Sequence, residues 1–232
     1  MGTRTDGPEK AAKKDPRVAL LSTTRTVFAP MEAAFQREFP EATLVHILDE
    51  TLLDDFRQAG GLSPRSRRKA LQMALNAEDA GVDAILFTCS TLSPVVEDFK
   101  PFITIPALRI DEPTVELVLQ LAQEIGLLSI AESVLNSYEP FILGKALMMG
   151  RKITVHRFVK NDLGPLRAKN LQAFYHAVGE TATEAAKACQ AVILCQASMA
   201  PGWDHVERSV QGKVYAMPAF AVRALRHLME SR

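Results

Sequence analysis

Residues 82–94 read VDAILFTCSTLSP, and residues 191–201 read AVILCQASMAP. In each, a short apolar run leads to a cysteine, a small polar cluster and a proline. Runs this short and this poor in charge predict strands buried on both faces, as in a parallel sheet covered by helices.

Outward from these runs, strands alternate with amphipathic segments. In the first half, residues 18–21, 43–48, 82–88 and 102–108 predict strands, and residues 30–39, 63–80 and 113–123 predict helices. After Gly126 the order returns, with strands at 127–130, 153–158, 191–194 and 214–217 and helices at 133–147, 166–188 and 219–229. Val18 pairs with Leu127, Thr43 with Ile153, Cys89 with Cys195 and Pro106 with Pro218, all at a nearly constant displacement, which indicates a duplication rather than a short solenoid repeat. The expected fold class is α/β: two pseudo-symmetric lobes, each a parallel sheet flanked by helices, with the active site in the cleft between them. Residues 1–16 are polar and carry two prolines, so they read as a flexible N-terminal extension. The lobes are expected at residues 17–106 together with 218–232, and at residues 107–217.

Composition narrows the function classes. The 27 Lys and Arg cancel the 27 Asp and Glu, which leaves no charge excess for a nucleic-acid groove or an anionic membrane surface. The longest apolar stretches fall far short of a bilayer span. Three cysteines are too few and odd in number for a disulfide scaffold, and the chain opens without an apolar leader, so a reducing, cytoplasmic setting is expected.

Cys89 and Cys195 both stand at strand ends, on the edge of the sheet where ligands of open α/β folds bind. Ser93-Pro94 predicts a helix start just beyond Cys89, whose positive dipole end favours thiolate. A single cysteine at a strand end is often core filler, and Cys189, late in a helix and without a counterpart in the first half, fits that description. Zinc lacks a ligand set near either of the other two, and a cytosolic disulfide is uncommon. Two thiols facing one another across a cleft suit a different task. Inverting a carbon stereocentre needs one group to remove a proton from one face and another to return a proton to the opposite face, with no cofactor and no metal. Ser22 and Thr23 follow the first strand, and Ser133 follows its counterpart; these hydroxyls either contact a carboxylate or cap the next helix. The run from Arg109 to Pro113 lies where the chain passes between lobes and reads as a hinge or an interface ion pair.

The twin motifs FTCSTLSP and VILCQASM, the run VHILDETLLDDFRQAGGLS at residues 45–63 and IPALRIDEP at residues 105–113 resemble the aspartate/glutamate/hydantoin racemase superfamily over nearly the whole chain beyond residue 16. The resemblance implies a cofactor-independent isomerase that needs no pyridoxal phosphate, with Cys89 and Cys195 as paired acid and base. It implies that Ser90, Thr91, Gln196 and Ala197 present polar contacts to a substrate carboxylate. A small-molecule carboxylate substrate, an amino acid or related acid, and a homo-oligomer follow from it; nucleic acid and membrane partners do not. Ser22-Thr23-Thr24 stands where glutamate racemases have Asp-Ser-Gly, and Gln196-Ala197 where they have Thr-His, which argues against glutamate. Two further readings are a maleate-isomerase-like cis–trans isomerase with a cysteine nucleophile, and a non-catalytic protein that binds a small carboxylate.

Overall fold

The computed structural model describes residues 15–231 apart from Gly60 and Thr91, so most of the expected N-terminal extension lies outside the described residues. The first half runs β1 (Arg17–Ser22), α1 (Phe28–Glu38), β2 (Thr43–Leu48), α2 (Thr51–Ala59), α3 (Pro64–Asp79), β3 (Ala84–Phe87), α4 (Val96–Phe99), β4 (Ala107–Arg109) and α5 (Glu112–Leu121). The second runs β5 (Glu124–Ser129), α6 (Glu132–Met148), β6 (Thr154–Val159), α7 (Leu163–Lys169), α8 (Leu171–Ala188), β7 (Ala191–Leu194), β8 (Val214–Ala216) and α9 (Met217–Glu230). Two four-stranded parallel sheets result, ordered β2-β1-β3-β4 and β6-β5-β7-β8.

The central strands AILF of β3 and AVIL of β7 are buried at every position, as a sheet covered on both faces requires. Side chains alternate between three apolar layers. Leu21, Ile85 and Phe87 face α3, where Ala70, Met73, Ala74 and Ala77 meet them. Leu128, Val192 and Leu194 face α8 through Phe174, Val178 and Ala182. Between the sheets lies one shared layer, in which Leu20, Leu86, Leu127 and Ile193 pack with residues of α1, α5, α6 and α9. Burying a side chain of this size contributes roughly 1.5–3 kcal/mol, so each layer is a substantial source of stability.

The last helix of each half crosses to the other. α5 follows β4 yet packs on β7, and α9 follows β8 yet packs on β3, β4 and α1. Arg223 of α9 donates from Nε and Nη2 to the two carboxylate oxygens of Glu38 in α1, at 2.6 and 2.8 Å. The Arg223 guanidinium holds the Glu38 carboxyl down at about 2. Where the chain leaves β4, Arg109 and Asp111 form a buried bidentate pair at 2.6 and 2.9 Å, and the guanidinium lies 3.4 Å above the Phe141 ring of α6. The ion pair expected at this crossing is therefore also a contact between the halves.

Strand register corrects the expected internal alignment. Val18 and Ile125 begin the equivalent β1/β3 and β5/β7 pairings, which join them to Ala84 and Ala191, so the step from Val18 to Ile125 equals the step from Ala84 to Ala191. Ala107 answers to Val214 at the same spacing, so Pro218 matches Asp111 and not Pro106. β4 extends the first sheet to Arg109, past the division expected after Pro106. The single helix expected over 166–188 is two, because Asn170 adopts an extended conformation and its side chain caps α8 by accepting from the Ala173 N–H at 3.0 Å.

A 3-10 segment, Ala197–His205, follows β7 and packs tightly against α8. A Cβ on Gly179 would come within 2.5 Å of His205 Cβ, and one on Gly202 within 2.5 Å of Val178 Cγ1. Gly179→Ala is expected to cost about 1–3 kcal/mol in urea unfolding, since backbone stands in the way. Gly144→Ala in α6, where a Cβ meets open space, is expected to stabilise by about 0.5–1 kcal/mol in the same measurement.

Candidate active site

The carboxyl ends of β1 and β3 are clasped by hydroxyls. Thr88 Oγ1 donates to the Leu21 carbonyl at 3.1 Å, which leaves Ser22 Oγ, 2.7 Å away, to donate to Thr88. Both residues are buried, so Ser22 serves the strand ends. The next residue, Thr23, donates from Oγ1 to Cys89 Sγ at 2.8 Å, and Cys89 is half-buried. A hydroxyl donor at this distance stabilises charge developing on sulfur.

The second half builds a matching arrangement with different chemistry. Ser129, the counterpart of Ser22, ends β5. Its Oγ lies 3.1 Å from Gln196 Oε1, and the Ile130 N–H donates to that same oxygen at 3.0 Å. The two halves meet where Ser90 Oγ donates to the Cys195 carbonyl at 3.2 Å. Cys89, Ser90, Cys195 and Gln196 therefore adjoin one seam, with Thr23 and Ser129 behind them.

The cysteines are not equivalent in register. Thr88 and Cys195 occupy the same position, since the N–H of Thr88 bonds to Leu21 O and that of Cys195 to Leu128 O, the counterpart of Leu21. The counterpart of Cys89 is Gln196. One residue of phase reverses a strand side chain's face. Cys89 accordingly packs with the Phe87 layer outside the first sheet, whereas Cys195 belongs to the shared layer with Ile193. Cys195 is 0 % exposed, and its thiol points back to the Ile193 carbonyl at 3.5 Å. Burial, reinforced by the nearby Asp111 carboxylate, pushes that thiol well above the ordinary thiol range. The symmetrical placement expected of the two cysteines holds for the strands that carry them and fails by one residue for the side chains.

The remaining expected residues divide. Ala197 is buried at the start of the 3-10 segment. Ser133 is exposed near the start of α6, where its carbonyl accepts from Ser137 Oγ, and it is not drawn into the hydroxyl clasps. Thr91 lies outside the described residues. The helix expected at Ser93-Pro94 is a 3-10 turn, Ser93–Val95, running into the one-turn α4, too short to supply much of a dipole at Cys89. Cys189 is buried and its thiol is raised by burial, in keeping with core filler. Sequence reading missed Thr88, Ser129 and Arg167; Arg167 donates from Nη1 to Ser198 Oγ at 3.1 Å, just beyond Gln196 in the chain. The available signal for Ser129 was the Leu-Leu-Ser that closes both β1 and β5.

The sequence profile of the Asp/Glu/Hydantoin racemase family matches residues 18–225. No curated protein matches the chain significantly in sequence. Among solved structures, an aspartate racemase from Picrophilus torridus superposes with a TM-score of 0.71 at 12% identity, over 93% of this chain and 94% of that one. The allantoin racemase from Klebsiella pneumoniae gives 0.66 at 12% identity, over 93% and 88%. The glutamate racemase from Francisella tularensis in complex with D-glutamate gives 0.66 at 19%, over 94% and 82%. At these identities the structural likeness concerns the fold.

The burial contrast predicts that a bulky disulfide reagent modifies Cys89 in the native protein at neutral pH and leaves Cys189 and Cys195 unreacted until urea is added; mass spectrometry of the labelled peptides reads this directly. Thr23→Val, which removes the donor to Cys89 Sγ, should slow that reaction several-fold. Stability should also fall at alkaline pH. Below the ordinary thiol value of 9.0, Cys195 is protonated in both folded and unfolded chains; above it the unfolded chain sheds a proton that the folded one retains. Each such group tilts stability downward by up to about 1.4 kcal/mol per pH unit, and Tyr138, raised by burial, adds to the decline above 10.0. Cys195→Ala should make the fall in urea midpoint above pH 9 shallower.

Proposed function

The chain belongs to the Asp/Glu/Hydantoin racemase family, and we propose that it isomerises a small carboxylate-bearing substrate, an amino acid or related acid, at an acidic carbon with Cys89 as the reacting thiol. The observation that carries this reading is the Thr23–Cys89 contact: a half-buried sulfur at a strand end, at the seam between the halves, with a hydroxyl donating to it. As thiolate, Cys89 takes the proton from the carbon next to the carboxyl group, and the released electron pair moves toward the carboxylate oxygens. Ser90, Gln196 and the backbone at Ala197 are the proposed contacts for that carboxylate. The scheme calls for no cofactor and suits a reducing, cytoplasmic setting in which thiols persist.

In the two-base form of this chemistry, a second proton arrives from the opposite face. Cys195 is the proposed donor, because burial keeps it as thiol, the form that can deliver a proton. Its complete burial requires the halves to part before it can act. The same burial and the one-residue phase favour a second reading in which Cys89 works alone, adding to an alkene carbon as the resemblance to maleate isomerases implies.

Single enantiomers of aspartate, glutamate and other small amino acids, incubated with the protein in deuterated water, test the proposal by proton NMR and chiral chromatography. Inversion with deuterium uptake is expected for a substrate of this class, lost by at least about a hundredfold in Cys89→Ala. Retention of full activity by Cys89→Ala would falsify the assignment of the thiol. Loss of inversion in Cys195→Ala supports the two-base form, while unchanged turnover together with a succinyl adduct on Cys89 after exposure to maleate supports the single-thiol form.

A further inference from the structure

We infer that a cavity between the two halves, apart from the thiols, is a second ligand site and takes a small ring-bearing organic anion. The inference goes beyond the reaction and does not depend on which thiol performs it.

Three observations carry it. The first is place and size. The cavity holds about 480 Å³, within the range of roughly 300–1,000 Å³ usual for small-molecule sites. Its walls are α1 from the first half, the 3-10 segment and β8 from the second, and α9, which crosses between the halves. None of Thr23, Cys89, Ser90, Cys195 and Gln196 lines it, so the proposed reaction leaves it unused.

The second is a preformed aromatic wall. Trp203, Tyr215 and Phe220 all line the cavity, and the rings of the last two pack 6.0 Å apart. Trp203 Nε1 donates to the carbonyl of Val214 in β8 at 2.9 Å, which fixes the plane of the indole. Held in this way the residue still stands 36% exposed. A planar ring laid against walls already in place gains contact area with little loss of side-chain freedom.

The third is charge. Arg37 of α1 and Arg223 of α9 both line the cavity, and both bond the single carboxylate of Glu38. Arg37 spends only Nε there, at 2.9 Å, and Arg223 spends Nε and Nη2. Among the described residues no protein acceptor lies on the two terminal amino groups of Arg37 or on Nη1 of Arg223. Two guanidiniums thus share one carboxylate, and the donors left over suit a second, planar anion. Asp204 lines the 3-10 wall next to Trp203 and repels an anion from that end, which directs the acid group of a ligand toward the arginines and its ring toward the aromatic wall.

Trp203 is the only tryptophan in the chain, so its fluorescence reads the cavity directly. The probes are para-nitrobenzoate and para-nitrobenzamide, nitroaromatic quenchers that share a ring and differ by one charge. Added to the whole protein, para-nitrobenzoate should quench Trp203 saturably and bind at least about tenfold more tightly than the amide, the size of one charge-assisted hydrogen bond. Arg37→Gln should cut that preference several-fold and leave the affinity for the amide unchanged. Ala33→Phe, which fills the cavity from an exposed position of α1, should abolish saturable quenching by both probes while the urea midpoint stays as in the wild type. Linear quenching no different from that of N-acetyltryptophanamide overturns the site, as does saturable quenching that survives Ala33→Phe. Equal affinity for the two probes, or a preference that Arg37→Gln leaves intact, overturns the assignment of an anion held by the arginines.

Discussion

One apolar layer shared by two parallel sheets is the constraint from which the rest of this structure follows. Leu20 and Leu86 on one side and Leu127 and Ile193 on the other each need cover, and α1, α5, α6 and α9 supply it to both sheets together. Because a single layer serves both, neither half keeps its own last helix: α5 covers β7 and α9 covers β3 and β4. The halves are thereby bound by burial, not by a linker. The Arg109–Asp111 pair sits within that junction, neutralised by its own bidentate geometry and stacked on Phe141. Removing either partner would strand a buried charge, which in such settings costs about 3–5 kcal/mol.

The site inherits its form from this arrangement. Equivalent strands end at one seam, so their closing hydroxyls, Ser22 and Ser129, become equivalent supports. What they support differs. Ser22 holds Thr88, leaving Thr23 for the Cys89 sulfur, whereas Ser129 and Ile130 hold the Gln196 amide. A duplicated scaffold thus sets a thiol at the seam in one half and a carboxamide in the other. Cys195, one residue before Gln196, turns into the shared layer and carries the desolvation of that layer, which keeps it protonated.

Much of this was legible in the residues. Short, fully apolar runs at 84–87 and 191–194, alternation with amphipathic segments, and the return of the order after Gly126 determined a duplicated parallel α/β fold, because burial on both faces leaves such strands no polar side to show. The same reading placed Cys89 and Cys195 at the ends of matching strands and set Cys189 aside as core, where it lies buried. The break at Asn170 was less visible, since the helical pattern on both sides is continuous and only the cap interrupts it.

What tertiary structure alone decided was phase. Both cysteines stand near the ends of matching strands, but β3 stops at Phe87, with Thr88 still between it and Cys89, and β7 stops at Leu194, directly before Cys195. The sequence determined which strands correspond, through hydrophobic pattern; it could not determine the hydrogen-bond register that carries Thr88, and not Cys89, onto Cys195. That register is set by pairing with β1 and β5, strands far away in the chain, and a strand's two faces exchange with every residue.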